Sequence, residues 1–136
     1  MRSVIRQSVV LPSSAESLFD MYLDPAAHAA ITGRPVAIRA AVGAEFRAFD
    51  SQLSGTILAV LRPRLVVQSW RSTKFEDDDR DSTLILMFTQ EGAGNCRIDL
   101  VHVDVPDHDF VDVSEGWHKY YWTPWRAYLD AQKGTS

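Results

Sequence analysis

EGWHKYYWTPW, residues 115–125, places three tryptophans and two tyrosines in eleven positions, with Pro124 among them. Trp117, Tyr121, Trp125 and Tyr128 recur at i, i+4, i+8 and i+11, which is the aromatic stripe of an amphipathic helix. Glu115, Lys119, Arg126 and Asp130 take the opposite face. The spacing predicts a closing helix from about 113 to 133, with Asp112 and Glu115 at capping-box separation. Pro124 lacks an N–H and crowds the carbonyl of Tyr120, so the helix is expected to kink there or to restart with Thr123 as its cap. A helix with this face needs a broad apolar surface to cover.

The preceding residues supply that surface. SVIRQSVVLP (3–12) reads as a strand ending at a proline. Two short helices follow: Ser13 and Glu16 have capping-box spacing ahead of Ala15, Leu18, Phe19 and Tyr22, and Asp24-Pro25 can cap and open a second helix that ends near Gly33. From about Val36 to Val105 the chain turns to β-branched and aromatic runs, read as strands at 36–41, 44–50, 55–61, 64–71, 82–90 and 95–105. Pro63 and the glycines of EGAGN (91–95) mark hairpins, so the strands should pair antiparallel. The acidic run EDDDRD (76–81) lacks the spacing and turn glycine of a calcium loop and reads as a solvated hairpin tip. The expected class is α+β: a curved antiparallel sheet of six or seven strands wrapped on the closing helix, as one domain over 1–136.

Charge excludes some functions. Fourteen Lys and Arg against eighteen Asp and Glu give a net charge of −4, so attraction to nucleic acid or anionic lipid is not expected. No segment approaches a membrane span or an unbroken secretory stretch, which makes the cytoplasm the default address. The single Cys96 cannot form an intrachain disulfide and reads as a small apolar strand residue. No GxSxG elbow or glycine-rich phosphate loop is present, and no cofactor is indicated.

The strand 95–105 holds the one irregular pattern. Cys96, Ile98 and Leu100 alternate on one phase, while Val101, Val103 and Val105 continue on the other. Either a bulge near Leu100 switches the register, or both faces are partly buried. The alternate valines favour the switch, which turns His102 and Asp104 outward; without it, the pair would stand inside as a weak catalytic candidate. His102, Asp104 and His108 match no familiar metal-ligand pattern, so no metal site is expected. His118 reads as an exposed helix residue, and Arg71 as a partner in a surface salt bridge.

Taken in order, these elements resemble the helix-grip fold of the START-like, or SRPBCC, superfamily. LSGTILAVLRPRLVVQSWR (53–71) and VPDHDFVDVSEGWHKYYW (105–122) resemble the two markers of its activator of heat-shock-protein ATPase homologue group, in its C-terminal domain type. The first marker has a glycine, an apolar strand, a proline turn and a strand ending in Trp-Arg; the second has an acidic linker before Gly-Trp and paired aromatics. Co-chaperones of this kind carry a separate N-terminal domain that engages the ATPase. This sequence opens on the first strand of the START-like unit, so a stand-alone domain is expected ahead of chaperone activation.

The resemblance implies an apolar cavity between sheet and helix. Phe46, Ile57, Trp70, Leu86 and Ile98 from the sheet, with Trp117, Tyr121 and Trp125 from the helix, are its candidate walls, and core packing is the competing reading for each. Tyr121, Trp70 or Trp117 would donate orienting hydrogen bonds to a small apolar or amphipathic ligand. Two other readings stay open. One is a cyclase-like or hydrolase-like enzyme using His102 and Asp104. The other is an interaction module, homodimeric or chaperone-bound, that presents Trp122.

Overall fold

A computed structural model describes residues 2–134. Strand β1 (Arg2–Leu11) is followed by helices α1 (Ala15–Leu23) and α2 (Pro25–Thr32). Then come β2 (Val36–Ala37), β3 (Glu45–Ala48), β4 (Leu53–Leu61), β5 (Leu65–Ser72), β6 (Ser82–Glu91) and β7 (Asn95–Pro106). The seven strands form one antiparallel sheet in the order β1-β7-β6-β5-β4-β3-β2, so the first strand closes on the last. A 3-10 turn (Asp107–Asp109) leads into helix α3 (Phe110–Trp117), which continues through a π-helical turn (His118–Trp122) into α4 (Thr123–Gly134). This is the helix-grip arrangement, with two short helices after the first strand and a long helix at the end.

The start of α1 differs by one residue from the expected cap. Ser14, not Ser13, accepts from the Ser17 N–H at 3.1 Å. Asp24 caps α2 as expected, accepting from the Ala27 N–H, and Gly33 ends it at φ 78°, a conformation that glycine reaches without a Cβ penalty. The long helix starts at Phe110, ahead of the expected Asp112 cap, because the 3-10 turn already winds the chain.

At Pro124 the helix neither breaks nor restarts. Thr123 has helical dihedrals (φ −66°, ψ −51°) and its N–H reaches the carbonyl of His118, five residues back. The wide turn falls just before the proline, where the ring would otherwise meet the carbonyl of Tyr120. The extra residue also brings Trp122 in beside Tyr121, so Trp117, Tyr121, Trp122, Trp125 and Leu129 are all buried. Tyr128, expected on that face, is only partly buried.

Inward side chains of the sheet meet this helix and the α1–α2 pair. Phe46, Ile57, Val66, Leu84, Leu86, Ile98 and Leu100 are at most 1% exposed, and burial of each contributes about 1.5–3 kcal/mol. Phe19 of α1 packs edge-on against Phe88 of β6 at 5.6 Å. Beside this apolar packing runs a chain of buried polar groups. The Tyr22 hydroxyl donates to Gln68 Oε1 at 2.6 Å; His28 Nδ1 donates to the Tyr22 carbonyl at 2.8 Å; and His28 Nε2 accepts from the Tyr121 hydroxyl at 2.9 Å. The carbonyl can only accept, so it fixes the imidazole tautomer. Burial holds His28 neutral, lowering its pKa to about 4.

Between β4 and β5 the backbones approach closely at Gly55. A Cβ there would lie 1.8 Å from the Ser69 carbonyl oxygen, so no other residue fits without moving a strand. Two outcomes follow. Gly55→Ala should destabilise the fold by about 2 kcal/mol or more in chemical denaturation. The depressed pKa of His28 means the unfolded chain binds a proton that the native state refuses, so its contribution is full above about pH 6.5 and is lost as pH falls toward 4. Thermal denaturation between pH 7 and 4 should therefore show a shallower loss of stability for His28→Gln than for the wild type, by up to about 3 kcal/mol.

Candidate functional site

The expected register switch in β7 is real but lies further along the strand. A two-residue step on β1, Ser3 to Ile5, faces a three-residue step on β7, Val105 to His102. Asp104 takes up the extra residue at φ 62°, a left-handed conformation that aspartate tolerates better than most residues. The inward phase therefore runs through Cys96, Ile98, Leu100 and His102 before it shifts to Val105. His102 points inward, correcting the outward expectation, and is 0% exposed. Asp104 lies outward, 3.2 Å from Arg80. The bulge thus separates the pair that an acid/base reading would need together.

His102 has a defined hydrogen-bonding state. Trp117 Nε1, which can only donate, reaches His102 Nδ1 at 3.2 Å, so the proton sits on Nε2. Nε2–H then donates to Ser82 Oγ at 2.8 Å, and the Ser82 hydroxyl donates in turn to the Trp70 carbonyl at 2.7 Å. This Ser-His contact is not a nucleophile with its base, since the imidazole nitrogen facing the serine already carries hydrogen. Burial lowers the His102 pKa to about 3, which keeps the ring neutral. Its role is to join β6, β7 and the closing helix.

Above this group the surface opens into a cleft of about 440 Å³ at one end of the sheet–helix interface. Trp70 and Trp117 form its aromatic floor, their centroids 6.2 Å apart, and Val113 and Gly116 of α3 form one side. The other side is the turn between β3 and β4, where Phe49, Asp50 and Ser51 are all left-handed (φ 53°, 56° and 66°). Three such residues in a row, none a glycine, are costly, and strain of this kind gathers at functional sites. Tyr120, 46% exposed, packs edge-on to Phe49 at 5.4 Å and bridges the two sides.

Of the eight expected wall residues, Trp70 and Trp117 reach this cleft. Phe46, Ile57, Leu86, Ile98, Tyr121 and Trp125 lie beneath it in the packed core. The indole N–H groups of Trp70 and Trp125, and the Gln68 amide nitrogen, have no hydrogen-bond partner among the described residues. Trp122 is 5% exposed and donates to Gln7 Oε1 at 2.8 Å, so it presents no aromatic contact to a partner. That burial corrects the expectation of an exposed Trp122.

The rim carries charge. Arg34 pairs with Asp50 at 3.2 Å and Lys74 with Asp112 at 3.8 Å. Asp109, at the head of α3, is 3% exposed and lines the cleft, yet its side chain caps no helix N–H. Burial is the main cause that raises its pKa, opposed by nearby Lys74. Sequence reasoning missed Asp109, which looked like one more acid in a polar linker. Next to it, the acidic run is better ordered than a solvated tip: Arg71 donates to the carbonyls of Asp79 and Glu76 and pairs with Asp81. His108 closes on Asp79 at 3.0 Å and Glu76 at 3.5 Å, and its hydrogen bond to Asp79 raises its pKa. Among the described residues, no helix is long and apolar enough to cross a membrane.

No curated protein sequence gives a significant match. Solved structures do. An Hsp90 activator from Plasmodium falciparum aligns with a TM-score of 0.85 at 17% identity, covering 93% of this chain and 96% of its own. Protein MLL2253 of Mesorhizobium loti aligns at 0.81 and 15% identity, covering 95% and 98%. DynU16, a protein of the dynemicin biosynthetic locus, aligns at 0.76 and 14% identity, covering 93% of this chain but 47% of its own. At such identities the likeness is one of fold. The family described as activator of Hsp90 ATPase homolog 1-like protein matches residues 12–130, and with nearly the whole helix-grip unit inside that span, the chain belongs to this family.

Proposed function

We propose that the protein binds a small amphipathic molecule in the cleft between the closing helix and the β3–β4 turn. The supporting observation is the cleft itself: its volume of about 440 Å³ suits a small ligand, its floor is aromatic, and its rim is polar. Trp70 and Trp117 supply apolar area for the ligand body. The reading needs no chemical step. His102, the one buried histidine next to the floor, is committed to Trp117 and Ser82 and offers a ligand neither a free proton nor a free lone pair.

Chaperone binding is the second reading, favoured by the family and by the fold shared with an Hsp90 activator. With Trp122 buried, such a contact would fall to exposed residues of the same helix, Val111 and Tyr120. The two readings separate by what Tyr120→Ala loses: small-molecule affinity in the first, chaperone association in the second.

Gly116 gives the direct test of the cleft. A Cβ at this position meets only the Tyr120 ring, at 3.6 Å, so larger side chains can grow from the helix into the open space. Gly116→Ala should stabilise the helix by about 0.5–1 kcal/mol by removing glycine's backbone freedom. Gly116→Leu should stay folded and block the cleft. Titration with 2-(2-naphthyl)ethanol, followed through the indole N–H signals of Trp70 and Trp117 by NMR, should saturate in the wild type and fail in Gly116→Leu. Equal, saturable shifts in both proteins would place binding elsewhere and overturn the proposal.

A further inference from the structure

We infer that the cleft selects a ligand whose apolar body carries a basic, hydrogen-donating nitrogen, and that Asp109 receives that nitrogen. The inference rests on the ligand-binding reading above and narrows it to a chemical class.

Asp109 stands apart from the other acids of the site. The rim carboxylates Asp50 and Asp112 have cationic partners in Arg34 and Lys74 and are exposed to water. Asp109 is 3% exposed, and no described residue donates a hydrogen bond to its side chain. A carboxyl group that keeps only a sliver of contact with water and has no protein donor is poorly solvated, and a ligand N–H that supplies the donor offsets that on binding. A cationic donor recovers most, since hydrogen bonds between ionised groups are the stronger kind.

The surroundings point the same way. The floor beneath the cleft is made by two indoles, Trp70 and Trp117, which accept the apolar body of a ligand. The acids lining the cleft, Asp50, Asp109 and Asp112, outnumber its bases, Arg34 and Lys74. An anionic ligand would bring a second negative group beside Asp109, with both neighbouring cations already engaged. A neutral alcohol could satisfy Asp109 with one hydrogen bond but would gain nothing from charge.

Three matched probes test the inference: 2-(2-naphthyl)ethylamine, 2-(2-naphthyl)ethanol and 2-naphthylacetate, titrated by calorimetry at pH 7.5 against wild type and Asp109→Asn. The amine should bind the wild type about tenfold more tightly than the alcohol, and the carboxylate most weakly. In Asp109→Asn that preference should vanish while the alcohol keeps its affinity within about twofold. An alcohol or carboxylate that binds the wild type as well as the amine overturns the inference and leaves the ligand-binding reading standing. An amine preference that survives in Asp109→Asn also overturns it. If none of the three binds, both readings fall. Should Asp109→Asn not fold, the wild-type ranking decides together with the Asp109 side-chain carboxyl signal in carbon NMR. The amine must shift that signal and the alcohol must shift it less; an unmoved signal overturns the inference.

Discussion

Pro124 has no N–H to offer the carbonyl four residues back, and the helix around it widens by one residue instead of breaking. The sheet depends on this accommodation. A regular helix would carry its aromatic stripe past the sheet at four-residue intervals; the wide turn sets Tyr121 and Trp122 side by side, so one covers the α2 side and the other reaches β1. Trp122 donates to Gln7 of β1, Trp117 to His102 of β7, and Tyr121 to His28 of α2, which ties three separate elements to a single helical segment. Removal of the widened turn would realign every one of these donors.

The buried polar groups have a common logic. Each buried histidine sits between one partner of fixed hydrogen-bonding character and one hydroxyl that adapts to it. A carbonyl fixes His28 and an indole fixes His102, with opposite tautomers as the result. Both rings are neutral for the same reason, since little around them offsets the cost of burying a charge. Such networks specify one arrangement of helix on sheet where apolar contacts alone would permit several. They also show how a Ser-His contact can form with the imidazole as donor and the serine oxygen as acceptor.

The architecture was legible because its signals are periodic. Aromatic spacing at 117, 121 and 125, alternation along the strands, and the Asp24-Pro25 and Gly33 punctuation of α2 are local patterns that sterics enforce wherever they occur. What escaped depended on positions that periodicity cannot rank. Three alternate valines outvoted His102, yet the fold placed the shift two residues beyond it because Asp104 could take the left-handed conformation and His102 could find two partners. An exposed Trp122 belonged to the interaction-module reading alone, and the structure instead buries it beside the wide turn against Gln7. The site was the least legible part. Asp109 owes its isolation to a 3-10 turn, and the cleft's second side owes its shape to three left-handed residues, Phe49 to Ser51, in which no glycine announces a turn.

The four indoles form a connected row, with centroids 6.2 Å apart from Trp70 to Trp117, 6.0 Å from Trp117 to Trp122 and 6.4 Å from Trp122 to Trp125. At such separations, light absorbed by one chromophore migrates among the others before it is emitted. The protein's ultraviolet luminescence is therefore expected to be a collective property, with emission shared among the rings. An occupant near the cleft would dim rings that it never touches, including Trp125 deep in the core.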